Sequence, residues 1–142
     1  MNNLNFRAWV PSEHKMVDVT NIHLRSKRVL LPIETPSTDS FYWTSSEWGF
    51  DDVVLMQSTG LKDKNGTMIY EGDIVQMKWT IYDEPELFYI RAVEGRAPRV
   101  DNYIKGKELW LVHQDCKVIG DIYRHPNMLE GYEYSKTDMK GD

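Results

Sequence analysis

Apolar and polar positions alternate in short runs along this chain, and no long amphipathic helix separates them. Leu4-Asn5-Phe6-Arg7-Ala8 alternates cleanly, which predicts a first strand ended by Pro11-Ser12. Lys15-Met16-Val17 begins a partner strand across a short hairpin. Val29 to Ile33 is apolar but contains Pro32, which cannot donate to a central ladder, so this run is expected at an edge or outside the sheet. Ser46 to Asp52 suits a short helical turn weakened by Gly49. Val53 to Gln57 is a short apolar run, suited to a strand or to one buried turn of helix. Ile74, Gln76 and Lys78 alternate with Val75, Met77 and Trp79, which predicts a strand with two distinct faces. Leu87 to Val93, Leu109 to His113 and Cys116 to Tyr123 read as further strands, with Gly120 marking a bulge. A hairpin tip is expected near Lys105-Gly106-Lys107, and a helical turn at Asn127 to Glu130.

The stretch Thr59 to Val75, TGLKDKNGTMIYEGDIV, is the one in which all local signals agree. Asn65-Gly66 is a turn pair because both residues tolerate positive φ at little steric cost. Glu71-Gly72-Asp73 makes a second turn. Gly60, Asn65, Gly66, Gly72 and Asp73 are therefore the expected turn residues. Short strands at close intervals predict a mainly β fold: a small antiparallel, barrel-like (SH3-like) meander over residues 59 to 124, with an N-terminal β-hairpin extension and short helical turns.

Four segments carry a resemblance: FRAW (Phe6 to Trp9), KMV (Lys15 to Val17), LMQSTGLKDKNGTMIYEGDIV (Leu55 to Val75) and VIGDIYRHPNMLE (Val118 to Glu130). In this order they resemble the YopX family of phage and prophage proteins, with Ser58 standing where an aromatic is expected. The resemblance implies origin and context. It implies no chemistry, because the function of that family is not established and no catalytic residues carry over.

The chain has 142 residues, which favours one domain, taken as 1–130 with an N-terminal hairpin and aromatic loop (1–58), a β core (59–130) and a flexible tail (131–142). The net charge of −5 implies no general affinity for nucleic acid. Arg25, Lys27 and Arg28 form the densest basic group and read as a solvated loop. Cys116 is alone, so no intramolecular disulfide is possible, which fits a reducing compartment. Met1 to Trp9 lacks the pattern of a signal peptide, and no apolar run is long enough to span a bilayer. The expected location is the cytoplasm of a bacterial host, with no membrane partner.

Candidate chemistry is thin. Asp63-Lys64-Asn65-Gly66 fails as a calcium loop, since the first and the bidentate ligand positions would fall on Leu61 and Gly72. His113, Asp115, Cys116 and His125 lie close in sequence, but a single Cys without a paired-ligand motif reads as a small buried side chain. Glu71 and Asp73 suit turn formation better than acid–base work. No catalytic or metal-binding residues and no cofactor are assigned. The five Trp and eight Tyr are generous for this length. Phe41, Tyr42, Trp43, Trp48 and Phe50 form the candidate interaction patch. The reading is a non-enzymatic accessory protein acting by protein–protein contact, either as a homo-oligomer or with an unidentified host or phage protein. The alternative is a nucleic-acid-binding β-barrel module using exposed aromatics such as Trp79 and Tyr82.

Overall fold

The structure, a computed structural model, describes residues 5–32, 45–92 and 95–132. Phe41, Tyr42 and Trp43 lie outside these residues. The chain divides into two compact units, Asn5–Gln57 and a C-terminal unit from Ser58 onward.

In the N-terminal unit, β1 (Phe6–Val10) pairs with β2 (Lys15–Asp18), closing the expected hairpin with Val10 opposite Lys15. A second, three-stranded sheet has the order β3 (Asn21–His23), β4 (Arg28–Pro32), β5 (Ser45–Gly49). The run containing Pro32 is thus the central strand of this sheet and not an edge. Pro32 takes the last position, opposite Ser45, so its missing N–H interrupts only the end of the ladder. Trp48 lies in β5 and not in a helical turn, and a single 3-10 turn (Phe50–Asp52) follows. The strand β6 (Val54–Lys62) pairs with β1 through Gln57. Ala8, Val10, Val29, Leu31 and Val53 form the buried core of this unit.

The run at Val53 does not stop at Ser58. β6 continues to Lys62 and pairs there with β7 (Met68–Tyr70). The ladder slips between Ser58 and Lys62, where Gly60 takes φ +79°. The Thr59 hydroxyl repairs the gap: it donates to Ile69 O at 2.8 Å and accepts from Leu61 N at 3.1 Å. The next turn is Asp63-Lys64-Asn65-Gly66, closed by Gly66 N donating to Asp63 O at 3.0 Å. Gly66 has φ +84°, whereas Asn65 is not among the positive-φ residues. One left-handed residue closes this turn because it carries three residues before the glycine instead of two.

The remaining strands are β8 (Asp73–Met77), β9 (Glu86–Arg91), β10 (Arg99–Asp101), β11 (Gly106–Glu108) and β12 (Lys117–Asp121). They form a five-stranded antiparallel sheet in the order β11-β10-β9-β8-β12, curled into a half-barrel. The alternation read from sequence decides its faces. Val75, Met77, Phe88, Ile90 and Val100 are buried on one side with Ile69, Leu109 and Cys116. Ile74 and Tyr89 are buried on the other, under Leu129 of the C-terminal 3-10 helix (Pro126–Tyr132). Gly72, at φ +86°, ties the sheet together: its N–H donates to Ile90 O and its carbonyl accepts from Ile122 N, both at 2.9 Å.

The apolar run after Glu108 is not a strand. It forms α1 (Leu109–Val112) and a 3-10 turn (His113–Asp115). Leu109 and Val112 pack into the core, three residues apart, while Trp110 and Leu111 face solvent at 57% and 58% exposure. A strand would have buried Leu109 together with Leu111 instead. Short apolar runs cannot be assigned to strand or helix by periodicity alone.

Candidate functional site

The connections β8–β9 and β10–β11 leave the half-barrel at the same end. Met77 lies opposite Glu86, and Asp101 lies opposite both Tyr89 and Gly106. Each connection contains a tight turn closed by its own polar side chains. In the first, Asp83 N donates to Thr80 O at 3.1 Å, and the Asp83 carboxylate accepts from Thr80 N at 3.0 Å. The Thr80 hydroxyl accepts from Tyr82 N at 3.2 Å. In the second, Asn102 N donates to Lys105 O at 2.8 Å, while its side-chain oxygen accepts from Ile104 N and Lys105 N, both at 2.9 Å. Asn102 is buried and also reaches Leu87 O.

At the tips, where turn chemistry favours Gly, Pro, Asn or Asp, stand four large apolar side chains. Ile81 is 81% exposed, Tyr82 90%, Tyr103 59% and Ile104 77%. Each turn thus displays one Ile and one Tyr. The turn bonds fix the backbone beneath them, so little loop entropy remains to be lost when a partner covers the tips.

Beside the turns lies a cleft of about 370 Å³ lined by Lys64, Met77, Trp79, Pro85, Gln114 and other side chains. Its wall is rigid. Trp79 stacks on Phe88 with centroids 6.0 Å apart. Lys107 Nζ stands 3.8 Å from the Trp79 ring centroid and Lys105 Nζ 5.0 Å, in cation–π geometry. Lys105 also pairs with Glu86 at 2.8 Å. Both signs of charge surround the end: Lys78, Lys105 and Lys107 with Asp83, Glu84 and Glu86.

The two described members of the interaction patch singled out from sequence fall elsewhere. Trp48 and Phe50 are half-buried against the core of the N-terminal unit. Of the nucleic-acid candidates, Tyr82 is displayed, but Trp79 is half-buried under its lysines. Ile81, Tyr103 and Ile104 are not among the residues that the sequence singles out. The available signal was an apolar pair flanked by turn formers, in Thr80-Ile-Tyr-Asp83 and again in Asn102-Tyr-Ile-Lys105. Gly60, Gly66 and Gly72 sit at left-handed positions. Asp73 is buried, with its carboxylate accepting from Tyr70 N at 2.8 Å, a turn-forming bond.

The Cys and His residues do not converge on one site. Cys116 is buried, its thiol donating to Val112 O at 3.5 Å beside Met77 Sδ at 3.8 Å. Burial pushes its pKa up to about 12, and Asp115 and Asp63 add to the shift. His113 Nδ1 is 2.6 Å from Lys62 O, whereas His125 Nδ1 accepts from Asp121 N at 3.3 Å. Among the described residues no group of three or more His, Cys, Asp and Glu is placed to hold a metal ion. No helix among them is long and apolar enough to cross a membrane.

A family model described as YopX protein matches residues 5–130. Two solved structures share the fold. The crystal structure of protein EF1440 from Enterococcus faecalis is 28% identical, with a TM-score of 0.61 over 91% of this chain and 99% of that one. The structure of protein yopX from Bacillus subtilis is 21% identical, with a TM-score of 0.60 over 92% and 98% of the two chains. None of the curated proteins matches this chain.

Proposed function

Because this chain belongs to the YopX family, whose function is not established, its role has to be read from its own surface, and we propose that it is a non-enzymatic phage or prophage accessory protein of the bacterial cytoplasm that acts by protein–protein contact through the two Ile–Tyr turns. The observation that carries this reading is the pair of side-chain-locked turns holding Ile81, Tyr82, Tyr103 and Ile104 in solvent. Exposed apolar side chains scattered singly need no explanation, but four of them gathered at one end of a sheet do. Tyrosine is enriched in interface cores, where its ring is buried and its hydroxyl finds a partner.

A nucleic-acid module draws support from the lysines around Trp79 and from the exposed rings of Tyr82 and Tyr103. The carboxylates of Asp83, Glu84 and Glu86 at the same end oppose phosphate, and the two isoleucines offer a base nothing to hydrogen-bond. Protein contact is therefore the better reading.

The test is site-specific photo-crosslinking in bacteria. Benzoylphenylalanine replaces Tyr82, Ile104 or, as a control, Leu24, which is 77% exposed in the N-terminal unit. Protein adducts are expected at Tyr82 and Ile104 and not at Leu24. No adduct at either turn, or equal yields at all three, would contradict the reading.

A further inference from the structure

We infer that the partner of the Ile–Tyr turns is a second copy of this chain, docked about a two-fold axis that sets the two half-barrel ends against each other. This rests on the contact reading above and adds the partner. The first observation is charge. A surface that receives a strongly acidic or basic partner carries the opposite sign in excess. Here Lys78, Lys105 and Lys107 are interspersed with Asp83, Glu84 and Glu86, and the cleft lining holds both Lys64 and Asp115. A two-fold contact needs this balance, because the same patch must be its own complement.

The second observation is shape. The loop that presents Tyr82 is also the wall of the cleft, contributing Lys78, Trp79, Thr80, Ile81 and Pro85 to its lining. Knob and hole are therefore adjacent on one copy. A two-fold axis between them brings each Tyr82 to the other copy's cleft, whose volume of about 370 Å³ accommodates a phenol ring.

The third observation is area. At their exposures the four tip side chains present on the order of 600 Å² per copy. Doubled, that is about 1,200 Å², above the roughly 1,000 Å² that a specific interface needs.

The test is the solution mass of the full chain by light scattering from low to high micromolar concentration, at low and high salt. The mass is expected to rise from 16.7 kDa toward twice that value, with no loss at high salt. The variant carrying Tyr82→Glu with Ile104→Glu is expected to stay at the single-chain mass with an unchanged melting midpoint, since both side chains stand in solvent in the free chain. If that variant fails to fold, the Tyr82 crosslinker in the otherwise natural chain gives the same answer through an adduct of twice the chain mass. A constant 16.7 kDa at high micromolar concentration, or a dimer that survives in the folded double variant, overturns the inference. A constant single mass together with a Tyr82 adduct to a different protein overturns the second copy alone. A constant single mass with no turn adduct overturns the contact reading as well.

Discussion

Asp63→Ala is expected to remove about 3 kcal/mol from the stability of the C-terminal unit, the scale of leaving several backbone donors without their charged acceptor. Asp63 sits between two turns of chain that are distant in sequence. One carboxylate oxygen accepts from Asn65 N at 2.8 Å and Thr67 N at 2.9 Å, shaping the turn that ends at Gly66. The other accepts from Val118 N at 2.9 Å, at the start of β12. Beside it, Lys64 N donates to Cys116 O at 2.9 Å. A single carboxylate thus fastens the β6–β7 hairpin to the last strand of the half-barrel, and Asp63 is only 5% exposed.

Burial alone raises the Asp63 pKa, but the N–H groups of Val118, Thr67 and Asn65, helped by Lys64, outweigh it and hold the pKa below the ordinary value of 3.8. The pH dependence follows from that direction. A carboxyl that is more acidic when folded contributes stability that is complete above the unfolded pKa of about 3.9 and is lost as pH falls through the folded pKa. Urea midpoints measured from pH 7 downward should therefore converge between the natural chain and Asp63→Asn as the acid limb is reached. A midpoint for Asp63→Ala equal to the natural one at pH 7 would mean that the turn and β12 hold each other without this side chain.

Gly106→Ala is expected to cost about 2 kcal/mol, within the range of overpacked interiors. No unusual backbone angle is involved, since Gly106 is not among the positive-φ glycines. The cost arises from contact: a Cβ at Gly106 would occupy the space of the Asp101 carboxylate and approach Arg99 Nη2. That carboxylate is poorly able to move. It is 7% exposed and pairs with both Arg91 Nη1 and Arg99 Nη2 at 3.2 Å. Arg91 and Arg99 are direct cross-strand partners, an arrangement that is unfavourable without an intervening anion. Displacing Asp101 thus sets two guanidinium groups against each other on neighbouring strands. A thermal midpoint that does not move in Gly106→Ala would show that the carboxylate swings aside freely.

The parts of the fold written in local chemistry were legible in the sequence. The glycines at 60, 66 and 72 mark left-handed positions, and the alternation from Ile74 to Trp79 separates the two faces of β8. The parts decided by tertiary context were not. Leu109 to Val112 is apolar in both readings, and only its packing against Cys116 and the sheet makes it helical. Pro32 misleads because the rule against proline applies to the interior of a ladder, whereas Pro32 stands at its end. The aromaticity of Trp48 and Phe50 suggests a contact surface, yet half-burial in the N-terminal unit leaves them little of it. The Ile–Tyr turns mislead in the opposite direction. An apolar pair such as Ile81-Tyr82 or Tyr103-Ile104 suggests a core position, and the bonds of Thr80 and Asp83 in the first turn and of Asn102 in the second place it at a tip.

The claim that these turns join two copies of the chain is tested most directly by amide hydrogen exchange of the full chain at low and at high concentration. Slower exchange at high concentration is predicted for the backbone of Ile81, Tyr82, Tyr103 and Ile104 and the adjoining cleft wall, with the N-terminal unit unchanged. Protection that grows elsewhere, or exchange at the two turns that stays the same at every concentration, would contradict it.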